Sequence, residues 1–249
     1  MSNKSSLEKA LEMFMVFTEE PYHLTVRDVA EKTGMNRTTV YRNLTTLENA
    51  GLLIRNEDNK KYSLGPLTYR MGSLYLSNAS YEESVLDILG KIGAETKESV
   101  GIARREGDKI ISIYSVERHQ AVKMKDLPGT FYPINKGTYG KCLMAYRDPP
   151  VTREMLEKMT FEKITPNTLT TPDEILAEYE KIRQQGYVIS MEETYNHITG
   201  VGVPLRGSDG KIRNVVAVSF IMQEGHMDKI EQIKQVLFKY KEELEVFIR

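Results

Sequence analysis

The stretch over residues 25–51, TVRDVAEKTGMNRTTVYRNLTTLENAG, limits the architecture more than any other part of the chain. Its spacing predicts a short helix over 26–32 with Val29 and Ala30 turned inward, then the turn Thr33-Gly34-Met35-Asn36. A second helix follows over 37–49. Val40, Leu44 and Leu47 fall at i, i+4 and i+7, one apolar stripe. Thr38, Tyr41, Arg42 and Thr45 fall on the other side. A helix with a narrow apolar seam and an outer face of hydroxyls, a tyrosine and an arginine suits a DNA major groove. There a guanidinium reaches guanine edges and hydroxyls reach bases or phosphate. Asn36 is a suitable N-cap, which puts Arg37, Thr38 and Thr39 at the helix N-terminus, where backbone N–H groups favour phosphate. A helical hairpin buried in a core has the same local pattern; the sequence on either side separates the two.

Before this pair, Leu7, Ala10, Leu11, Phe14 and Phe17 mark an amphipathic helix capped by Ser5 or Ser6 and ended by Pro21. After it, Gly51 closes the second helix. Residues 52–55 and 61–64 read as short strands around a turn at 56–60. Three helices and a hairpin make a winged helix-turn-helix domain over 1–65. Lys60 and Lys61 at the wing tip are placed to touch phosphate or the minor groove. Those 65 residues hold nine Lys/Arg and nine Asp/Glu, so nonspecific attraction to DNA is weak. The basic residues gather in the later half.

With 249 residues and 40% hydrophobic content, a second domain with its own core fits in the remainder. No apolar run approaches the roughly 20 residues of a membrane helix. The first residues lack the apolar core of a signal peptide. One cysteine, Cys142, excludes an internal disulfide and fits a reducing cytoplasm. Pro66 opens an apolar helix over 66–79, read as a linker whose free face packs on a second subunit. Residues 80–249 alternate helices with hairpins: a hairpin turning at Glu106-Gly107-Asp108, a strand over 121–125, and a loop over 126–137. Helices follow over 138–147, 152–159 and 173–185, then strands over 187–191, 198–205 and 214–222, and a final helix over 227–248. The class is α+β with an antiparallel sheet.

Several segments, in order, resemble the isocitrate-lyase-regulator (IclR) family of bacterial transcription factors. SLEKALEMF is similar to the family's first helix. LTVRDVAEKTGMNRTTVYRNLTTLENAGLL is similar to its helix-turn-helix, and KKYSLG to its wing end. YPINKGTYGKCLMAY, QGYVISMEE and ITGVGVPLRGSDGKIRNVVAVSF resemble three segments of its second domain. The resemblance implies a linker helix, a GAF-like effector-binding domain, and dimers or tetramers that bind double-stranded operator DNA. It further implies repression of a metabolic operon under a small-molecule effector, often a carboxylate, with no cofactor. Positions matching the family's pocket nominate Met124, Tyr132, Thr138, Tyr139, Gly200 and Ser219, with Ser190 and Glu192 near the rim. Thr138 and Tyr139 stand where the family has small residues, and Gly200 stands where cysteine is common, so the pocket is expected to be reshaped.

Other chemistry is poorly supported. GTYGK lacks the spacing of a phosphate-binding loop. Cys142 sits inside an apolar helix and reads as an inert thiol. His23, His119, His197 and His226 have no metal-ligand spacing. The rival to a regulator is a small-molecule enzyme with a protein-docking winged helix. No nucleophile, acid–base pair or metal cluster supports it.

Overall fold

The computed structural model describes residues 4–77, 82–117, 128–222 and 226–248. Met124 and the expected strand over 121–125 lie outside the described residues. The chain divides into two compact units, Met1–Asn78 and Ala79–Arg249.

In the first unit, helix α1 (Ser6–Met15) begins at Ser5, whose hydroxyl accepts from Glu8 N–H while Glu8 reaches back to the Ser5 N–H. Its buried residue is Met13; Phe17, in the single 3₁₀ turn Val16–Thr18 that follows, is buried too. Leu7 and Leu11, read above as part of the apolar side, are 69% and 53% exposed. The helix carries two apolar stripes, and the one through Met13 and Phe17 meets Leu24, Val29, Val40 and Leu44 in the core.

Helix α2 (Val26–Thr33) is capped by Thr25, which forms the same reciprocal pair with Asp28, and it ends on Gly34 at φ 69°. Helix α3 (Arg37–Asn49) starts at Asn36, whose side chain accepts from the Thr38 N–H. Val40, Leu44 and Leu47 are its buried residues, as their spacing predicts. At its end Gly51 N–H donates to the Glu48 carbonyl and Leu52 N–H to the Leu47 carbonyl, with Gly51 at φ 76°. This is the closure that a left-handed residue permits.

Strands β1 (Leu53–Arg55) and β2 (Tyr62–Leu64) form the wing in the register Leu53↔Leu64, and Leu24 bridges Tyr62 as a further rung. Gly65 brings the chain back against the end of α3: a Cβ there would lie 2.4 Å from the Gly51 carbonyl oxygen and 2.9 Å from the backbone of Leu53. Helix α4 (Pro66–Ser77) completes this unit and leaves Tyr69, Met71 and Leu74 exposed.

Among the described residues, the second unit is built on a six-stranded antiparallel sheet in the order β5-β4-β3-β8-β7-β6. Its strands are β3 (Ser99–Glu106), β4 (Lys109–Val116), β5 (Phe131–Tyr132), β6 (Val188–Met191), β7 (Ile198–Arg206) and β8 (Ile212–Ile221). Helices α5 (Glu82–Thr96) and α9 (His226–Phe247) contribute Leu89, Ile92, Ile233 and Leu237 to one core, against Val201, Val203, Val216 and Val218. A second core joins helices α6 (Thr138–Ala145), α7 (Pro149–Glu157) and α8 (Pro172–Gln185) to alternate strand residues, Ala103, Val188, Val215 and Ala217. Successive residues along β8 therefore feed opposite cores, as strand alternation requires. The α+β class with an antiparallel sheet holds. Strand β5, within the stretch read as a loop, is only two residues long and pairs with Ile110 and Ile111 of β4.

Replacing Gly65 with alanine forces its new methyl into backbone atoms that no side-chain rotation can move. We expect a loss of about 1–3 kcal/mol in the first unit. Hydrogen exchange checks it: wing amides at Asn56 and Tyr62 should lose protection while β7 and β8 amides keep theirs.

Candidate nucleic-acid interface and effector pocket

On α3, the nominated residues divide by exposure. Arg37, Thr38, Tyr41 and Arg42 are exposed, Tyr41 by 49%, whereas Thr39 and Thr45 are half-buried. Thr39, Tyr41, Arg42, Asn43, Thr45 and Thr46 face Ser6, Leu7 and Ala10 of α1 across an open cleft of about 590 Å³. Asn43, Thr46 and Ser6 were not singled out from the sequence, because the cleft depends on how α1 crosses α3. The Thr45 and Thr46 hydroxyls donate to the carbonyls of Tyr41 and Arg42, each at 2.9 Å. That leaves these hydroxyls as acceptors rather than donors to a ligand. The helix thus presents two guanidinium groups and a phenol on a backbone held rigid by its own apolar seam.

At the wing, Asn56 accepts from the N–H groups of Asp58 and Asn59, which fixes the turn. Lys60 takes a left-handed φ of 58° and pairs with Glu57 at 3.0 Å. Both side chains are more than half exposed, so the pair is weakly held and opens at little cost. Lys61 is exposed on the same turn, its N–H donating to Asn59.

In the second unit, the start of α6 lies directly on the sheet. Ser190, Gly200, Ser219 and Ser99 form one row across β6, β7, β8 and β3. The side chain of Thr138 lies over the bare backbone of this region. A Cβ on Gly200 would lie 2.1 Å from Thr138 Oγ1 and 3.3 Å from Ser219 Oγ, and one on Gly202 would lie 2.6 Å from Thr138 Cγ2. Thr138, Gly200 and Ser219 therefore share one small polar site. Tyr139 meets Tyr132 edge to face, with ring centroids 4.8 Å apart. The approach to α6 is equally tight. A Cβ on Gly140 would lie 1.9 Å from the Pro133 carbonyl oxygen, and the Tyr179 hydroxyl donates to the Ile134 carbonyl at 2.8 Å.

The other two nominated residues are engaged elsewhere. The Ser190 hydroxyl lies beside the Glu193 carboxyl and favours its charged form, and Glu192 accepts from the His197 N–H at 2.7 Å, closing its own loop. Glu192 and His197 both take left-handed backbone angles, φ 52° and 63°, a costly arrangement for residues with side chains. The loop that they close carries the residue the sequence reading missed. Glu193 is buried; one oxygen accepts from the Gly137 N–H at 3.0 Å and the other meets Lys141 Nζ at 2.5 Å. Lys141, 1% exposed, also donates to Glu178 at 2.8 Å and to the Ile189 carbonyl at 3.2 Å. Burial pushes the Glu193 carboxyl above its usual range, against the pull of Lys141 and of the Gly137 N–H. The protein's own carboxylate thus occupies the first N–H at the start of α6. Nothing local in GTYGKCLM marks Lys141 as a buried cation, since its partners lie 37 and 52 residues further on.

Cys142 is buried and burial drives its thiol well above the ordinary range, which suits packing and not nucleophilic attack. Among the described residues, no group of three His, Cys, Asp or Glu side chains is placed to hold a metal, and no helix is long and apolar enough to cross a membrane.

A winged helix-turn-helix with a separate sheet domain for a small ligand is the architecture of a one-component transcriptional regulator. Residues 6–57 match the model of the IclR helix-turn-helix domain, and residues 73–244 match that of the bacterial transcriptional regulator IclR C-terminal domain. The chain belongs to the IclR family of bacterial transcriptional regulators. It is 26% identical over 216 residues to the HTH-type transcriptional regulator KdgR of Dickeya chrysanthemi, covering 87% of this chain and 70% of that protein. Its fold is similar to the crystal structure of an IclR regulator from Alicyclobacillus acidocaldarius, with TM-score 0.81, 24% identity, and 97% and 98% of the two chains covered. It is also similar to an IclR homologue of Microbacterium hydrocarbonoxydans complexed with 4-hydroxybenzoate, with TM-score 0.78, 20% identity, and 97% and 100% covered.

Lys141→Met keeps the side-chain stem but leaves Glu193 buried without its cation. We expect a loss of about 3–5 kcal/mol, and a smaller loss when Glu193→Gln is added to it. Denaturant unfolding of the four proteins in that double-mutant cycle checks both statements.

Proposed function

We propose that this regulator binds a double-stranded operator as a homodimer or a pair of dimers and represses a metabolic operon, and that a small organic effector alters the fit. Arg37, Tyr41 and Arg42 read base edges or phosphate, with Asn36, Thr38, Thr39 and Thr45 beside them and Lys60 and Lys61 on the flanking backbone. Two protomers put two such helices on half-sites about one helical turn apart, or a multiple of it. The exposed face of α4, with Tyr69, Met71 and Leu74, supports self-association.

The effector sits at Thr138, Gly200 and Ser219, walled by Tyr132 and Tyr139; Met124 is nominated by the resemblance alone. Ser190 and Glu192 act behind this site, through Glu193 and the loop that holds it. A small carboxylic acid suits the pocket: hydroxyls of Thr138 and Ser219 and N–H groups at the start of α6 supply donors, and the two rings supply an apolar wall. The complex of the Microbacterium homologue with 4-hydroxybenzoate supports an aromatic acid as the first probe. Binding shifts the population between dimer geometries that match and mismatch the two half-sites. The chain works in the cytoplasm, where its operator is.

The observation that carries this reading is the exposed face of α3, backed by Val40, Leu44 and Leu47 and open to a cleft. Arg42→Ala should weaken operator binding by roughly 1–3 kcal/mol if its guanidinium makes a paired contact with a base. Fluorescence anisotropy on the operator recovered by genomic pull-down measures it; unchanged affinity removes Arg42 from the readout. In parallel, 4-hydroxybenzoate and aliphatic acids are screened on the full chain by thermal shift. An acid that raises the melting temperature and changes operator affinity identifies the effector class.

A further inference from the structure

At the end of the sheet away from Thr138, arginines gather from several elements. Gly200 and Arg206 are six residues apart on β7, so this end lies roughly 20 Å from the effector pocket at the usual rise of a strand. Arg105, at the end of β3, falls opposite Arg213 on β8 when the antiparallel register Arg104↔Asn214 is carried one step further. Like charges facing each other across two strands are unfavourable. Both residues alternate onto the face covered by α6, with Ala103 and Val215. Arg147 follows the end of α6 and Arg206 ends β7.

The ion-pair and carbonyl partners of these four groups come from two hairpin turns, and Arg147 also donates to Met155 Sδ at 3.0 Å. In the β3–β4 turn, Asp108 pairs with Arg147 at 2.7 Å, while Arg105 donates only to the Gly107 carbonyl at 3.2 Å. In the β7–β8 turn, Asp209 pairs with Arg213 at 2.6 Å, while Arg206 donates through its side chain to the Gly210 carbonyl at 2.6 Å. Asp108 and Asp209 are thus the carboxylates in ion-pair contact with these four guanidinium groups, with Glu106 acting on Arg105 from further off. Among the described residues, Arg105 and Arg206 have no ion-pair partner for their side chains. Arg105 Nε is buried with no hydrogen-bond partner. Burial, then the charges of Arg147 and Arg213, holds the Arg105 guanidinium below its usual range, against the weaker pull of Asp108 and Glu106. Tyr146, half-buried beside Arg206 and Arg183, has its phenol pushed up to about 12, chiefly by burial.

We propose that Arg105 and Arg206, with Arg147 and Arg213 beside them, form a second binding site for a multiply charged phosphate group, separate from the effector pocket and on the opposite end of the sheet. Forked guanidinium groups match phosphate oxygens in pairs. A dianion placed between two hairpin turns relieves the repulsion between Arg105 and Arg213 and satisfies the two groups that meet only carbonyls. The class is a phosphorylated small molecule, bound at diphosphate or phosphate monoester oxygens. This makes the second domain responsive to two ligands of different chemistry.

The test uses the full chain and inorganic pyrophosphate, with potassium chloride at matched ionic strength as the reference. Pyrophosphate should raise the melting temperature saturably beyond the chloride reference. Arg105→Gln and Arg206→Gln should each weaken its Kd by about tenfold or more, and Lys163→Gln, an exposed charge elsewhere, should leave it unchanged. Arg206 is exposed, so its variant keeps the test informative if Arg105→Gln folds poorly. A shift no larger than that of chloride, or one retained in both arginine variants, overturns the site. Duplex DNA of random sequence separates the two sources of phosphate. If the arginine variants lose duplex affinity while pyrophosphate gives no saturable shift, the patch serves nucleic acid and the small-molecule assignment falls.

Discussion

A dry ammonium group governs the second domain. Lys141 sits beneath the surface with two carboxylates and a backbone carbonyl as its ligands. Its desolvation is tolerable only because those partners are held in place. They come from α8, from β6 and from the loop between β6 and β7, so the cation pins four pieces of backbone to one another. Helix α6 is one of those pieces, and its first turn lies on the glycines of β7. The position of Thr138 over Gly200 and Gly202 is therefore set from behind as well as from below. The backbone beneath Thr138 is thus held rigidly in place.

The first domain follows a different logic. Its charges balance, nine of each sign over residues 1–65, so long-range attraction to a polyanion is weak. Selectivity then rests on a small number of groups delivered at close range. Two arginines and a tyrosine on α3 are exposed, the threonine hydroxyls behind them are already spent on the helix backbone, and one wing lysine is held in reserve by Glu57. Such an interface discriminates by geometry more than by field strength.

Local signals were enough for much of this structure. Thr25, Asn36, Gly34 and Gly51 act at the ends of α2 and α3 as their residue types predict, because caps depend on atoms within a few residues. The seam Val40–Leu44–Leu47 is buried for the same reason: periodicity is a local property. Failures came where the answer lay far along the chain. Leu7 and Leu11 are exposed because α1 has two apolar stripes, and only its packing partners choose between them. Lys141 and Glu193 meet through a loop and a sheet that no short window reveals. Ser190, expected near the pocket rim, pairs with Gly200 across the sheet and has its hydroxyl beside Glu193. Thr138 fills the volume that a side chain at 200 would need, and Tyr139 leans on Tyr132.

The close meeting of Gly51 and Gly65 joins the base of the wing to the last turn of α3 through backbone atoms alone. Neither part can pivot without dragging the other, so the reading head behaves as a single stiff jaw. Its aim on a duplex is then decided wholesale, by where the jaw is mounted, and partial engagement of the groove without the flanking strand is disfavoured.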